Sequence, residues 1–69
     1  MRVNIEKLRG KIKEMGTTQE ELARELSMDK STFSRKMQSE ALTFSIGEMH
    51  KISEKLRLSS PEAAAIFLS

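Results

Sequence analysis

The sequence of 69 residues contains no cysteine, no tryptophan and no tyrosine, and its single histidine is His50. Without cysteine the chain can form neither a disulfide nor a thiolate metal site, and one histidine is too few for an imidazole site. No apolar run approaches the ~20 residues of a membrane-spanning helix, and residues 1–11 lack the apolar stretch of a signal peptide. We expect a cytoplasmic protein without metal, cofactor, small-molecule ligand or membrane association.

Catalytic patterns are also lacking. His50 is predicted to lie on the outer face of a helix, and no serine or cysteine pattern typical of a nucleophile accompanies it. No convergent set of acid, base and nucleophile is visible elsewhere in the sequence. We therefore expect His50 to be an ordinary surface residue and the protein not to be an enzyme.

Apolar and charged residues are present in balance, at 38% and 32% of the chain, which is typical of a globular domain. Residues 1–69 are predicted to form one small domain. The net charge is only +2, but residues 1–16 carry five basic and two acidic side chains, and residues 28–39 carry three basic and one acidic. Alone, so small an excess is also typical of an ordinary protein surface.

Apolar residues recur at spacings of three and four, which predicts an all-α, compact bundle of about five short helices. Asn4 is a suitable N-cap, and Thr18 and Ser45, each with glutamate three residues later, predict capping boxes. The inward faces are predicted to include Met15 in the first helix and Ile46 in the fourth. The predicted helices cover about residues 4–15, 18–26, 30–38, 45–56 and 60–67.

The second and third helices are separated by only three residues, Ser27 to Asp29. Two short helices joined so tightly must cross steeply, and the small side chain of Ala23 lets them approach closely. Phe33 and Met37, four residues apart, are the predicted inward pair of the third helix. This is the pattern of the DNA-binding helix-turn-helix, whose second helix lies in the major groove.

The segment QEELARELSMDKSTFSRKMQ, residues 19–38, resembles the helix-turn-helix of the Cro- and cI-type phage repressors of the XRE family. The similarity continues through TFSIGEM at residues 43–49, and the end of the chain resembles small phage-encoded Cro-like regulators. The resemblance implies a lambda-repressor-like fold and a double-stranded DNA operator as partner. Two positions depart from the family pattern: Ser27 replaces the usual glycine, and Lys36 replaces a common leucine.

The outward face of the third helix is the predicted reading surface. At about 100° per residue, Ser31 and Arg35 point away from the inward pair. Arginine binds guanine O6 and N7 bidentately, which is the commonest specific base contact. This face and the resemblance together predict a recognition helix over residues 30–38, with base contacts from Lys30, Ser31, Ser34 and Arg35. The alternative is a solvated helix face.

Phosphate contacts are predicted at the rim of this surface. The free N–H groups at a helix N-terminus suit an anion, which indicates Thr18 and Gln19 at the second helix and Ser45 at the fourth. Thr43 in the preceding loop and Lys36 are further candidates. For Thr18 and Ser45 the alternative is that both residues are only helix caps.

The C-terminal segment is apolar on nearly all sides. We expect that one small core does not cover Ile66, Phe67 and Leu68 together, so these three residues are predicted to form a homodimer contact. Such a dimer would place two recognition helices roughly 34 Å apart, which matches a palindromic operator. The alternative is that the last helix only closes the core against the first.

The sequence as a whole predicts a phage or prophage transcriptional regulator that acts by occupying its operator. The alternative is an antirepressor or antitoxin-like module that keeps this fold and acts through a partner regulator.

Overall fold

The structure is a computed structural model that describes residues 3–38 and 44–68. These residues form helices and no strands, so the predicted all-α bundle is confirmed. Within the described residues, none of the helices has the length and apolar character needed to cross a membrane. The five helices are α1 (Ile5–Glu14), α2 (Gln19–Glu25), α3 (Lys30–Gln38), α4 (Ile46–Lys55) and α5 (Ser60–Phe67).

The helix starts follow the capping residues closely. Asn4 Oδ1 accepts a hydrogen bond from the Lys7 N–H at 3.1 Å, as expected for an N-cap. The N-cap of α5 is Ser59, directly before the predicted start of this helix at residue 60. Glu62 lies three residues after Ser59, and the two residues form a reciprocal capping box. Ser60 could not form such a box, because Ala63 lies three residues after it.

Three helices end in the same way, on a residue with left-handed backbone. These residues are Gly16, Ser27 and Arg57, with φ of 70°, 54° and 53°. In each turn the next N–H donates to the carbonyl five residues back, at 2.8–3.2 Å, which satisfies helix-end carbonyls. Ser27 therefore adopts a left-handed conformation that glycine takes up more readily than other residues.

The core lies where all five helices meet, and α2 packs most extensively on α3. The rings of Phe33 and Phe44 are 5.5 Å apart at an interplanar angle of 50°. The fully or nearly fully buried apolar residues are Leu8, Ile12, Leu22, Ala23, Leu26, Phe33, Met37, Phe44, Ile52, Leu56, Ile66 and Phe67.

The helices α1 and α5 run antiparallel, and this arrangement corrects the prediction for the C-terminal segment. The Asn4 N–H donates to the Ile66 carbonyl at 2.6 Å, while Lys11 reaches Glu62 at the other end of the pair. Ile66 and Phe67 are only 3% and 4% exposed, so one chain buries both side chains. Only Leu68, at 62% exposure, remains outside the core.

Two residues predicted to face inward are exposed instead. Ile46 is 84% exposed because it is the first residue of α4, one turn before Met49 and Ile52 bring that helix onto the core. Met15 is exposed because it is the C-cap of α1, beyond the last core residue of that helix, Ile12. Both exceptions lie at helix ends, where the periodic pattern extends past the neighbouring helices.

Candidate nucleic-acid interface

The exposed face of α3 carries the four residues predicted to contact bases. Phe33 and Met37 are buried and anchor the opposite face, so the predicted inward pair is confirmed. The side chains on the outer face are Lys30, Ser31 and Arg35, which are exposed, and Ser34, which is half-buried. This surface therefore combines two long cations with two short hydroxyl side chains.

The first turn of α3 is shaped by carboxylates on both sides of the short connection. Asp29 Oδ2 accepts a hydrogen bond from the Ser31 N–H at 2.9 Å and so caps the helix. Lys30 Nζ lies 3.8 Å from Glu20 Oε2. Both side chains of this pair are exposed, and such pairs contribute little stability, so Lys30 is free to exchange Glu20 for another partner.

Sequence reasoning missed Glu20 as a neighbour of the reading surface. It lies on α2, and only the close approach of α2 and α3 brings its carboxylate to Lys30. Its place in the first turn of α2 gave no signal beyond the usual preference of acidic residues for a helix N-terminus.

Arg35 is the least constrained cation of this face. Its Nη2 lies 3.5 Å from Thr32 Oγ1, at the outer limit of a hydrogen bond. Among the ion pairs between described residues, none involves Arg35. Its guanidinium group is therefore available for a planar, bidentate acceptor.

The N-terminus of α2 is open. Thr18 Oγ1 accepts from the Glu21 N–H at 3.1 Å, but the predicted capping box is incomplete. Glu21 Oε2 accepts from Thr17 Oγ1 at 2.9 Å instead of from the Thr18 backbone. The N–H groups of Gln19 and Glu20 consequently have no acceptor within the described part of the chain.

The N-terminus of α4 differs from that of α2 because its capping box is complete. Ser45 Oγ accepts from the Glu48 N–H at 3.1 Å, and Glu48 Oε1 accepts from the Ser45 N–H at 2.8 Å. The N–H groups of Ile46 and Gly47 have no acceptor among residues 3–38 and 44–68. Thr43, the remaining predicted phosphate contact near this helix, lies outside the described residues.

Lys36 differs from the other predicted phosphate contacts, because it is engaged inside the protein. Its Nζ lies 2.9 Å from Glu48 Oε1 and 5.7 Å from the centroid of the Phe44 ring. Only 18% of its side chain is exposed. The structure therefore corrects the prediction: Lys36 belongs to the contact between α3 and α4 and not to the exposed rim.

The neighbours of Glu48 change the pKa of its carboxyl group. Partial burial alone would raise the pKa of Glu48, but the Ser45 N–H and the Lys36 ammonium group outweigh burial and hold this pKa below its ordinary value. Glu48 is therefore ionised at neutral pH and pairs with Lys36.

Comparisons with family models, with curated proteins and with solved structures give no match to this chain.

Proposed function

We propose that this chain is a sequence-specific, double-stranded DNA-binding transcriptional regulator, similar to the Cro- and cI-type phage repressors, with α3 as its recognition helix. The observation that carries the proposal is the face of α3. Phe33 and Met37 fix the helix to the core, and Lys30 and Arg35 are exposed and make only a 3.8 Å and a 3.5 Å contact within the described part of the chain. A helix presented in this way after a short connection of four residues, 26–29, suits insertion into a major groove.

Base recognition is assigned to four side chains of α3. Arg35 would bind guanine O6 and N7 bidentately, and Lys30, at the N-terminal tip, would reach a guanine or a phosphate. Ser31 and Ser34 are short, so the helix backbone can lie close to the base edges. Lys30 would exchange its weak pairing with Glu20 for the DNA.

Phosphate binding is assigned to the first turns of α2 and α4. The open N–H groups of Gln19 and Glu20 support such a contact at α2, and those of Ile46 and Gly47 support it at α4. The hydroxyl groups of Thr18 and Ser45 accept hydrogen bonds from their own helices but can still donate one to a phosphate oxygen. These contacts would set the register of α3 without reading sequence.

A homodimer is part of the proposal, through the outer side of α5. Because Ile66 and Phe67 are buried in the monomer, the exposed apolar residues available for the contact are Pro61, Ala64 and Leu68, spaced by three and four. An isologous contact there would present two copies of α3 to a palindromic operator. Occupancy of a promoter in the cytoplasm by this dimer would then repress transcription.

The test is selection of bound sequences from random DNA duplexes, followed by titration of the selected duplex at two salt concentrations. We expect sequence enrichment and an affinity that falls steeply with salt, because phosphate binding releases counterions. Arg35→Ala should weaken binding by about 1–3 kcal/mol and relax the preference at one base pair. Arg9→Ala removes the same charge from an exposed site on α1 and serves as the matched control.

Equal effects of Arg35→Ala and Arg9→Ala would remove Arg35 from a base-reading role. No binding of any duplex at low salt would contradict the DNA-binding function as a whole. Stable association with a second regulator in that case would favour the antirepressor or antitoxin-like module.

A further inference from the structure

Lys36 sits at the centre of a small network that joins α3 to the start of α4. Its ammonium group contacts Glu48 Oε1 at 2.9 Å, and the same oxygen accepts the Ser45 N–H at 2.8 Å. The same ammonium group lies over the ring of Phe44, 5.7 Å from its centroid, and this ring in turn packs on Phe33 of α3. A cation on α3 is thus bonded directly to the carboxylate that caps α4.

We propose that Lys36 is a positioning residue that acts through Glu48: it fixes the first turn of α4 relative to the exposed face of α3. This inference rests on the proposed DNA-binding function, because those two elements are the phosphate-binding and base-reading parts of one surface. Lys36 itself does not bind a phosphate.

The contacts of Lys36 favour an ion pair within the protein over a contact between its ammonium group and a DNA phosphate. Reaching a phosphate would require the ammonium group to leave both Glu48 and the face of the Phe44 ring. The unpaired Glu48 carboxylate would then lie beside the N–H groups of Ile46 and Gly47, close to the same phosphate, and would repel it. When the carboxylate is paired with Lys36, its negative charge is balanced, and it still completes the capping box.

Two substitutions that change charge in opposite directions separate positioning from direct phosphate binding. Lys36→Met keeps an unbranched apolar side chain and removes a positive charge, while Glu48→Gln keeps a carbonyl acceptor and removes a negative charge. If Lys36 acts through Glu48, both single variants weaken DNA binding, by about tenfold. The double variant is then no weaker than either single variant, since both changes break the same contact.

Direct electrostatics predicts a different pattern. Lys36→Met would weaken binding, Glu48→Gln would leave it unchanged or strengthen it, and the double variant would return toward wild-type affinity. In addition, Lys36→Met would reduce the slope of log affinity against log salt by about 0.9, the loss of one phosphate contact. That pattern would overturn the inference. Lys51→Met, at an exposed lysine of α4, is the matched control and is expected to leave sequence preference unchanged.

A measurement without DNA keeps the inference separate from the proposed function. Amide hydrogen exchange of the Ser45 N–H should become at least several-fold faster in both single variants, because this group donates to the oxygen that Lys36 holds. Exchange in α1 and α5 should not change, which also shows that the variants remain folded, and Lys36→Arg should restore protection of Ser45. Unchanged Ser45 exchange in both variants would overturn the inference even if DNA binding is found. Faster exchange without any DNA binding would contradict only the proposed function.

Discussion

The α1–α5 pair and the exposed face of α3 use their charged residues in different ways. Along α1 and α5, Lys11 Nζ lies 2.8 Å from Glu14 and 2.7 Å from Glu62, and the Lys11 side chain is largely covered. On α3, Lys30 lies 3.8 Å from Glu20, and Arg35 has a long contact to Thr32; among residues 3–38 and 44–68 neither cation makes a closer ion pair. Charged groups of the first region hold two helices together, whereas those of the second make only weak contacts within the described part of the chain.

The two regions also differ in what anchors them. The outer face of α3 depends on the rings of Phe33 and Phe44 beneath it, so its polar side chains carry no structural role. The C-terminal end of α5 is not divided into an anchoring face and an exposed face in this way, because the consecutive residues Ile66 and Phe67 both enter the core. Lys36 is the exception on α3, since it is the one cation of that helix used for internal packing.

The largest expected effect concerns the buried end of α5. Phe67→Ala should lower the free energy of unfolding by about 3–5 kcal/mol, because it opens a cavity in the monomer core. Leu68→Ala, at the exposed neighbouring position, should change it by no more than about 0.5 kcal/mol. Urea denaturation at several low protein concentrations measures both values. A loss in Phe67→Ala that appears only at high protein concentration would instead place Phe67 in a dimer interface.

A smaller effect is expected where α1 and α2 end in the same left-handed turn. Gly16→Ala should destabilise the protein by about 1 kcal/mol, and the cause is its φ of 70° alone, since an added Cβ meets nothing within 4 Å. Ser27→Gly should stabilise the protein by up to about 1 kcal/mol, because glycine adopts this conformation without strain. Thermal unfolding gives both changes. A destabilising Ser27→Gly would show that the turn before α3 is not held in this conformation in solution.

The smallest effect is a pH dependence on the α1–α5 side. The hydrogen bond from Lys11, and then those from Ser59, lower the pKa of Glu62 from 4.5 to about 2. Since the folded-state pKa is depressed, this contribution to stability is complete above the ordinary pKa and is lost as the pH falls toward 2. Carbon NMR titration of the Glu62 carboxyl should show this value in the wild type and a higher one in Lys11→Met. Equal pKa values in the two proteins would exclude the Lys11–Glu62 ion pair.

Local signals made most of the fold predictable. Asn4, Thr18 and Ser45 mark helix starts because capping depends on residues only three apart, and apolar spacing marks the inward faces. The errors occurred where distant packing decides. The burial of Phe67 depends on α5 lying antiparallel on α1, and the exposure of Ile46 depends on how far α4 extends beyond its neighbours.

The features of the candidate site likewise differ in whether they depend on local spacing or on packing between helices. The outward direction of Ser31 and Arg35 follows from helical periodicity, so the sequence was sufficient to predict it. The contacts of Lys36 with Glu48 and of Lys30 with Glu20 each join residues on different helices. No spacing rule for a single helix describes such contacts. For this reason Lys36 was predicted at the exposed rim and not in the contact with Glu48.

The exposed face of α3, with the first turns of α2 and α4, is the proposed DNA-binding surface. The most direct test is amide NMR of the labelled protein titrated with a duplex selected for binding. If this surface binds DNA, the largest shift changes should occur at Lys30, Ser31 and Arg35, with smaller changes at Gln19 and Gly47 and almost none between Ile5 and Glu14 in α1. Changes concentrated in α1 and α5, with the α3 amides unaffected, would contradict the proposal.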